Sequence, residues 1–236
     1  MKILFACLLG LLAVIPSVLF QILIPPFYFS NPFLVLLQAI FITALIEEVS
    51  KALAFYLFPL RFLKTEKTKA SRLKIFLGKK NLEKEVLKEE PICLDSDAIL
   101  GEDKKNACKE AKLVFLYGFF LGLSFGFYEL LVYFISGEGA LGLRFFTTVF
   151  FHAFCAVLGS FFIFSWKKKK FWLFPIAFAI LMHGLYNFFA QFTGILWWFS
   201  ILVLILTALQ TFYVYSAISK SHGMRKKKQR GVFFKY

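Results

Sequence analysis

Apolar residues fall into six long runs separated by short polar breaks, at 3–24, 33–58, 113–135, 144–166, 171–191 and 195–218. Each is close to the ~20 residues that a helix needs to cross a hydrocarbon core of roughly 30 Å. The runs are continuous rather than alternating, which predicts buried helices and argues against strands. The pattern therefore predicts an all-α, polytopic transmembrane bundle of about six spans. The first run follows Lys2 in the manner of a signal peptide, but no small-x-small cleavage site comes after it. Phe20 and Gln21 stand where cleavage would fall, so the run is expected to be kept as a span.

Basic residues orient these spans, because Lys and Arg beside short loops stay on the cytoplasmic side. With the amino terminus inside, Lys2, the block from Arg61 to Lys112, the run Lys167–Lys170 and the tail from Lys220 onward all become cytoplasmic, which accounts for 26 of the 28 basic residues. Only Arg144 and Lys51 fall elsewhere. Both termini are therefore expected inside, and the chain divides into four parts. Residues 1–63 hold two spans, 64–112 a charged cytoplasmic loop, 113–218 four spans and 219–236 a basic cytoplasmic tail. The loop carries 13 basic and 10 acidic residues. Its stretch LKIFLGKKNLEKEVLKEE suits an exposed helix ending near Pro91, and the segment reads as a solvated cap or linker. The connections on the other side, 25–32, 136–143 and 192–194, are short, so any chemistry must lie among the helices.

Composition sharpens this picture. Hydrophobic residues make up 59% of the chain, 34 of its residues are Phe, and the mean hydropathy is +0.71, so most of the surface must meet lipid. The net charge of +14 comes from blocks flanking the spans, where orientation and anionic lipid explain it. No nucleic-acid motif lies between them, and nucleic acid is not an expected partner. Cys7, Cys93, Cys108 and Cys155 show no C-x-x-C spacing, and no disulfide framework or zinc ribbon follows from them.

Several polar groups interrupt the spans. Glu47, Glu48 and Lys51 lie in the second, Glu129 in the third, His152 in the fourth, and His183 with Asn187 in the fifth. An ionisable group at the centre of a span costs about 2.5–3.5 kcal/mol on insertion scales, and such residues mark function by default. At about 1.5 Å per residue, Glu47 lies roughly 21 Å from the outer end of its helix, Glu129 about 9 Å, His152 and His183 about 12 Å and Asn187 about 6 Å. Four helices of alternating direction thus bring these groups to one zone between the midplane and the outer leaflet. Glu47 with Lys51, and His183 with Asn187, are i, i+4 pairs that share a face. The lysine can compensate the carboxylate pair. Gly118, Gly122 and Gly126 form a stripe for close helix packing, and Glu129 continues it. His152, Ala156 and Gly159 share a face of the fourth span. Taken one at a time, such residues also serve as interhelical hydrogen-bonding glue.

The segments E-E-V-S-K at 47–51, F-G-F-Y-E at 125–129, H-A-F-C-A-V-L-G at 152–159 and H-G-L-Y-N at 183–187 resemble, in order, the motifs of the PrsW family of membrane-embedded proteases. That family is related to the CAAX prenyl proteases and the bacteriocin-processing immunity proteins. The resemblance spans roughly residues 33–191. It implies a membrane-embedded protease of a bacterial cytoplasmic membrane that cuts a membrane-anchored protein, such as an anti-sigma factor, with Glu47, Glu48, Lys51, Glu129, His152, His183 and Asn187 as its site residues. The CAAX relatives have a His where this chain has Glu129, so prenylated substrates are not implied. The loop 64–112 is longer than the family leads one to expect.

Peptide hydrolysis requires an activated water, an oxyanion stabiliser and a proton for the leaving amine. In the metal-free version, which requires no cofactor, Glu47 or Glu48 takes the proton from water and His152 helps hold it. His183 and Asn187 stabilise the oxyanion, while Glu129 orients a His or shuttles a proton. In the alternative, His152, His183 and Glu129 hold a zinc ion with one position left for water, although the close spacing H-E-x-x-H is absent. A proton-coupled transporter would also bury Glu, His and Lys, yet paired Gly/Pro-interrupted spans are lacking. An inactive membrane scaffold is the remaining alternative.

Overall fold

The computed structural model of the chain describes residues 2–23, 31–57, 96–135, 143–168 and 172–230, and every regular element among them is helical. The helices are α1 (Lys2–Leu23), α2 (Pro32–Leu57), α3 (Ser96–Ile135), α4 (Leu143–Lys167), α5 (Phe174–Ala190) and α6 (Ile195–Arg230). Five of the six are long and apolar enough to cross a membrane, and α5 is a shorter apolar helix. The protein is an integral membrane protein. Residues 64–95 of the charged loop, the connections at 24–30 and 136–142, and Cys93 lie outside the described residues, as do the side chain of Arg144 and the tail beyond Arg230.

Local chemistry sets the helix ends. At the start of α2, Asn31 Oδ1 accepts a hydrogen bond from the Phe33 amide at 2.9 Å, and Pro32 occupies the first turn, where its missing N–H costs nothing. Pro175 likewise confines the start of α5 to its neighbourhood, so this helix is shorter than the expected 171–191. Two other boundaries differ from the expectation in the opposite sense. Residues 96–112 of the charged connection are helical and continuous with the third span as α3, and 219–230 extend α6. The sequence there is rich in Ala, Lys and Glu or in Lys and Arg, good helix formers that keep the helix going once it leaves the apolar layer.

α4 is the central helix. It packs against α2, α3, α5 and α6, and it is buried over most of its length, whereas each of the other spans is buried over less than half. α1 lies outside this group and packs on both α2 and α3.

Small residues permit the close approaches. A Cβ added to Gly118 would stand 2.6 Å from Ser160 Oγ, one on Gly122 2.6 Å from Ala156 Cβ and 2.8 Å from Ala153 Cα, and one on Gly126 3.0 Å from Val149 Cα. The glycine stripe of α3 is thus in backbone contact with α4, which runs antiparallel to it. Gly159 faces Ala52 of α2. On α1, Ala6, Ala13 and Ser17 are buried and Gly10 meets Ser124 and Leu121 of α3, so this first run is packed into the bundle by a stripe of its own.

At one end of the bundle, Lys167 Nζ donates to the Tyr56 carbonyl at 3.0 Å and lies 4.1 Å from the centre of its ring. Lys168 Nζ meets Glu110 Oε2 at 2.6 Å. Here the ends of α2 and α4 are tied together, and the end of α4 is tied to α3 at Glu110. The opposite end carries Asn31, Ile135 and Ala190.

Candidate functional site

α2 positions three of the ionisable groups, and its geometry changes just before them. Residues Ala39–Ala44 form a π-helical turn, followed by regular α-helix from Leu45. Gly184 of α5 lies against this turn, and a Cβ there would stand 2.6 Å from Ile40 Cα. The wider turn rests on the backbone of α5 next to His183, a placement typical of π-turns at functional sites. Beyond it, Glu47, Glu48 and Lys51 are each 1% exposed.

The charged side chains join in one line. Glu129 Oε2 lies 2.5 Å from His152 Nε2, and His152 Nδ1 lies 3.1 Å from Lys51 Nζ. Lys51 forms an ion pair with Glu48 Oε1. The same oxygen meets His183 Nδ1 at 2.6 Å, and His183 Nε2 faces Glu47 Oε2 at 3.4 Å. Four helices, α2 to α5, thus contribute six groups that read carboxylate, imidazole, ammonium, carboxylate, imidazole, carboxylate.

Donor and acceptor rules fix much of the protonation. An ammonium only donates, so His152 Nδ1 accepts from Lys51, and the ring proton sits on Nε2, the nitrogen on the Glu129 side. His183 donates from Nδ1 to the Glu48 carboxylate. In its neutral form its Nε2 is then a bare base, and this atom has no hydrogen-bond partner among the described residues.

Aromatic rings enclose the line. Phe125 lies 4.6 Å beneath the Lys51 ammonium and 5.2 Å from the His152 ring. Phe151 stands between His183, at 5.5 Å, and Tyr186, on which it stacks at 4.2 Å. The Tyr186 hydroxyl meets Thr147 Oγ1 at 2.9 Å and Thr148 Oγ1 at 3.0 Å. The two imidazoles meet edge to face with centres 4.9 Å apart. Sequence reasoning assigned no role to Phe125, Phe151 or Tyr186, although Tyr186 lies one turn from His183 and Phe125 one turn from Glu129.

Six of the seven sequence-derived residues come together in this way. Asn187 does not join them. It is half-buried one turn beyond His183, and its backbone carbonyl accepts from Gln191 Nε2 at 3.2 Å.

The metal alternative changes in composition. The carboxylate that converges with the two histidines is Glu47 rather than Glu129, and Glu47, His152 and His183 can each bring a ligand atom within 4.8 Å of the others. As arranged, this donor set does not suit a divalent cation. His152 has Lys51 at one ring nitrogen and Glu129 at the other, so ligation would require breaking one contact beside an ammonium. The same arrangement suits proton transfer well.

Fold and site together define a class, that of an integral membrane helix bundle with an acid–base network buried among its helices. No family model, no curated protein and no solved structure matches the chain.

Proposed function

We propose that the protein is an intramembrane endopeptidase of the PrsW type, which hydrolyses a peptide bond of a membrane-anchored protein near the outer leaflet of a bacterial cytoplasmic membrane. The observation that carries this reading is the His183 Nε2 to Glu47 Oε2 gap of 3.4 Å at the end of the buried line. A bare imidazole nitrogen and a carboxylate facing each other are a place for one proton to be held or exchanged, and that is what activation of water requires.

Roles follow from the contacts. Glu48 is held by both Lys51 and His183, so it orients the imidazole and fixes its tautomer. Glu47 is then the general base, with His183 Nε2 sharing the proton taken from water. The hydroxide attacks the scissile carbonyl, and the proton passes from the Glu47–His183 pair to the departing amine. Asn187 has an amide unengaged by the line and one turn from His183, as an oxyanion donor must have before substrate arrives. The contact from Glu129 through His152 keeps Lys51 in place. No step is routed through a metal. The concentration of basic residues at the Lys167 end supports placing that end, and with it both termini, in the cytoplasm.

The test is cleavage of a single-span reporter in proteoliposomes. Glu47→Gln keeps shape but cannot accept a proton, and it should lower the rate by about 10²- to 10⁴-fold while the bundle stays assembled. A chelator should leave the wild type unaffected. Full activity of Glu47→Gln would sink the reading, and loss of activity with chelator, restored by zinc, would replace its mechanism.

A further inference from the structure

Besides its imidazole, α5 brings a second buried ring to the centre. His183 and Tyr186 are i, i+3 and share a face, and one ring of α4, that of Phe151, stands between them. Phe151 stacks on Tyr186 with centres 4.2 Å apart and planes 10° apart, and it meets His183 edge to face at 5.5 Å and 70°. All three side chains are buried. Thr147 and Thr148 precede Phe151 by four and three residues and so lie on its side of α4. The Tyr186 ring therefore runs along α4, with its body on Phe151 and its hydroxyl between Thr147 Oγ1 at 2.9 Å and Thr148 Oγ1 at 3.0 Å. A phenol can donate to one hydroxyl and accept from another, so both threonines can be engaged at once and the direction of the ring is set. Stacking alone would be served by Phe, without the cost of burying a hydroxyl.

The His183 ring needs such a wall. Its Nδ1 contact to Glu48 at 2.6 Å anchors one ring atom, while the torsion about the Cβ–Cγ bond of a histidine has only a broad preference. Nε2, on the far side of the ring, is the atom that faces Glu47 at 3.4 Å. Two rings stand edge to face against the imidazole, His152 with centres 4.9 Å apart and Phe151. His152 has polar contacts of its own at both nitrogens, to Lys51 and Glu129. Phe151 has no polar atom, and its plane is matched by that of Tyr186.

We propose that Tyr186 and Phe151 are positioning residues of the centre. The threonine-bound phenol sets the plane of Phe151, and Phe151 sets the plane of the His183 imidazole, so that Nε2 stays directed at Glu47. The kinetic consequence rests on the peptidase reading, whereas the orientation of the ring does not. A tilt of a few tens of degrees carries Nε2 about 1 Å off line, and a misplacement of that size costs about 10²-fold in a positioned reaction.

The test uses the full chain in proteoliposomes with Tyr186→Phe, Phe151→Leu and, as a control, Phe161→Leu, which removes an equally buried ring of α4 that packs on Tyr215 instead. Solid-state NMR on isotope-labelled histidine reads the order parameter of the His183 Cε1–H bond, which reports ring motion whether or not any peptide is cut. The wild-type ring should be rigid. Tyr186→Phe should loosen it, Phe151→Leu should loosen it further, and Phe161→Leu should leave it unchanged. On a single-span reporter, Tyr186→Phe should lower kcat by about 10-fold and Phe151→Leu by about 10²-fold, with KM nearly unchanged, while Phe161→Leu keeps kcat. A packing role alone predicts a lower thermal midpoint in all three variants with wild-type ring order and kcat. That result, equal loosening in the control, or a loosened ring with unchanged kcat overturns the proposal. If Phe151→Leu does not assemble, Tyr186→Phe, which removes a single oxygen, decides. Loosening in the two centre variants of a chain that cuts no reporter keeps the positioning residues and removes the peptidase, whereas wild-type cleavage with a ring unmoved by either variant does the reverse.

Discussion

Two sets of buried polar side chains in this bundle are satisfied in opposite ways. On α6, Ser200, Thr207 and Thr211 are buried, and each hydroxyl bonds a carbonyl of its own helix, Trp197, Val203 and Thr207 at 2.7, 2.7 and 2.8 Å. Such a side chain is satisfied before any tertiary contact forms. Around α4 a set of buried ionisable groups comes from four helices and is joined by contacts between them. The first arrangement adds little to specificity and carries no chemistry. The second makes assembly and proton chemistry depend on the same contacts, which is why it is the place to look for function.

The difference can be pressed from its strongest point downward. Lys51→Met removes the one ammonium from the line and leaves Glu48 buried without its counter-charge, so it should destabilise the bundle by about 3–5 kcal/mol. Thermal unfolding in detergent measures this, and Lys51→Met with Glu48→Gln should recover much of the loss. A single variant as stable as wild type would mean that the line is not held by its charges. Asn187→Ala should slow cleavage by about 10²- to 10³-fold if its amide is one oxyanion donor, with unchanged unfolding; a stability loss and no rate effect would move it to the structural class. Gly122→Leu should cost about 3 kcal/mol by forcing α3 off α4, which the same unfolding assay reads, and an unchanged midpoint would show that the stripe is not a seam. Thr207→Val should cost no more than about 0.6 kcal/mol. A larger loss would erase the contrast from the α6 side.

Much of this was legible because helical periodicity and hydropathy are local properties. The spans, the glycine stripe of α3 and the ionisable residues could each be placed on a face by counting in threes and fours. Partner choice could not be read that way. Lys51 reaches Glu48 and His152, and Glu47 comes near both histidines while Glu129 meets His152, because rotation of each helix about its axis depends on packing. The π-turn at Ala39–Ala44 has no marker in its own residues, and the backbone it lies against, at Gly184, belongs to another helix. The α1 stripe of Ala6, Gly10, Ala13 and Ser17 was visible in principle, but small residues spaced irregularly by three and four stand out less than glycines at regular intervals. The extensions of α3 and α6 were hidden for another reason: a helix does not end where its apolar run ends.

The central position of α4 also governs the order in which the centre can form during synthesis. When α4 emerges, α2 and α3 are already made, so His152 finds Lys51 and Glu129 waiting and half of the charged line can close at once. Glu48 already has Lys51 on its own helix, but its second contact and the approach of Glu47 wait for His183, which arrives only with α5, the shortest of the described helices. Insertion of α5 is therefore the step at which a nascent chain trades an incomplete set of membrane-embedded charges for a complete one. Chains arrested before it would present those charges to the quality-control machinery of the membrane, and chains arrested after it would not.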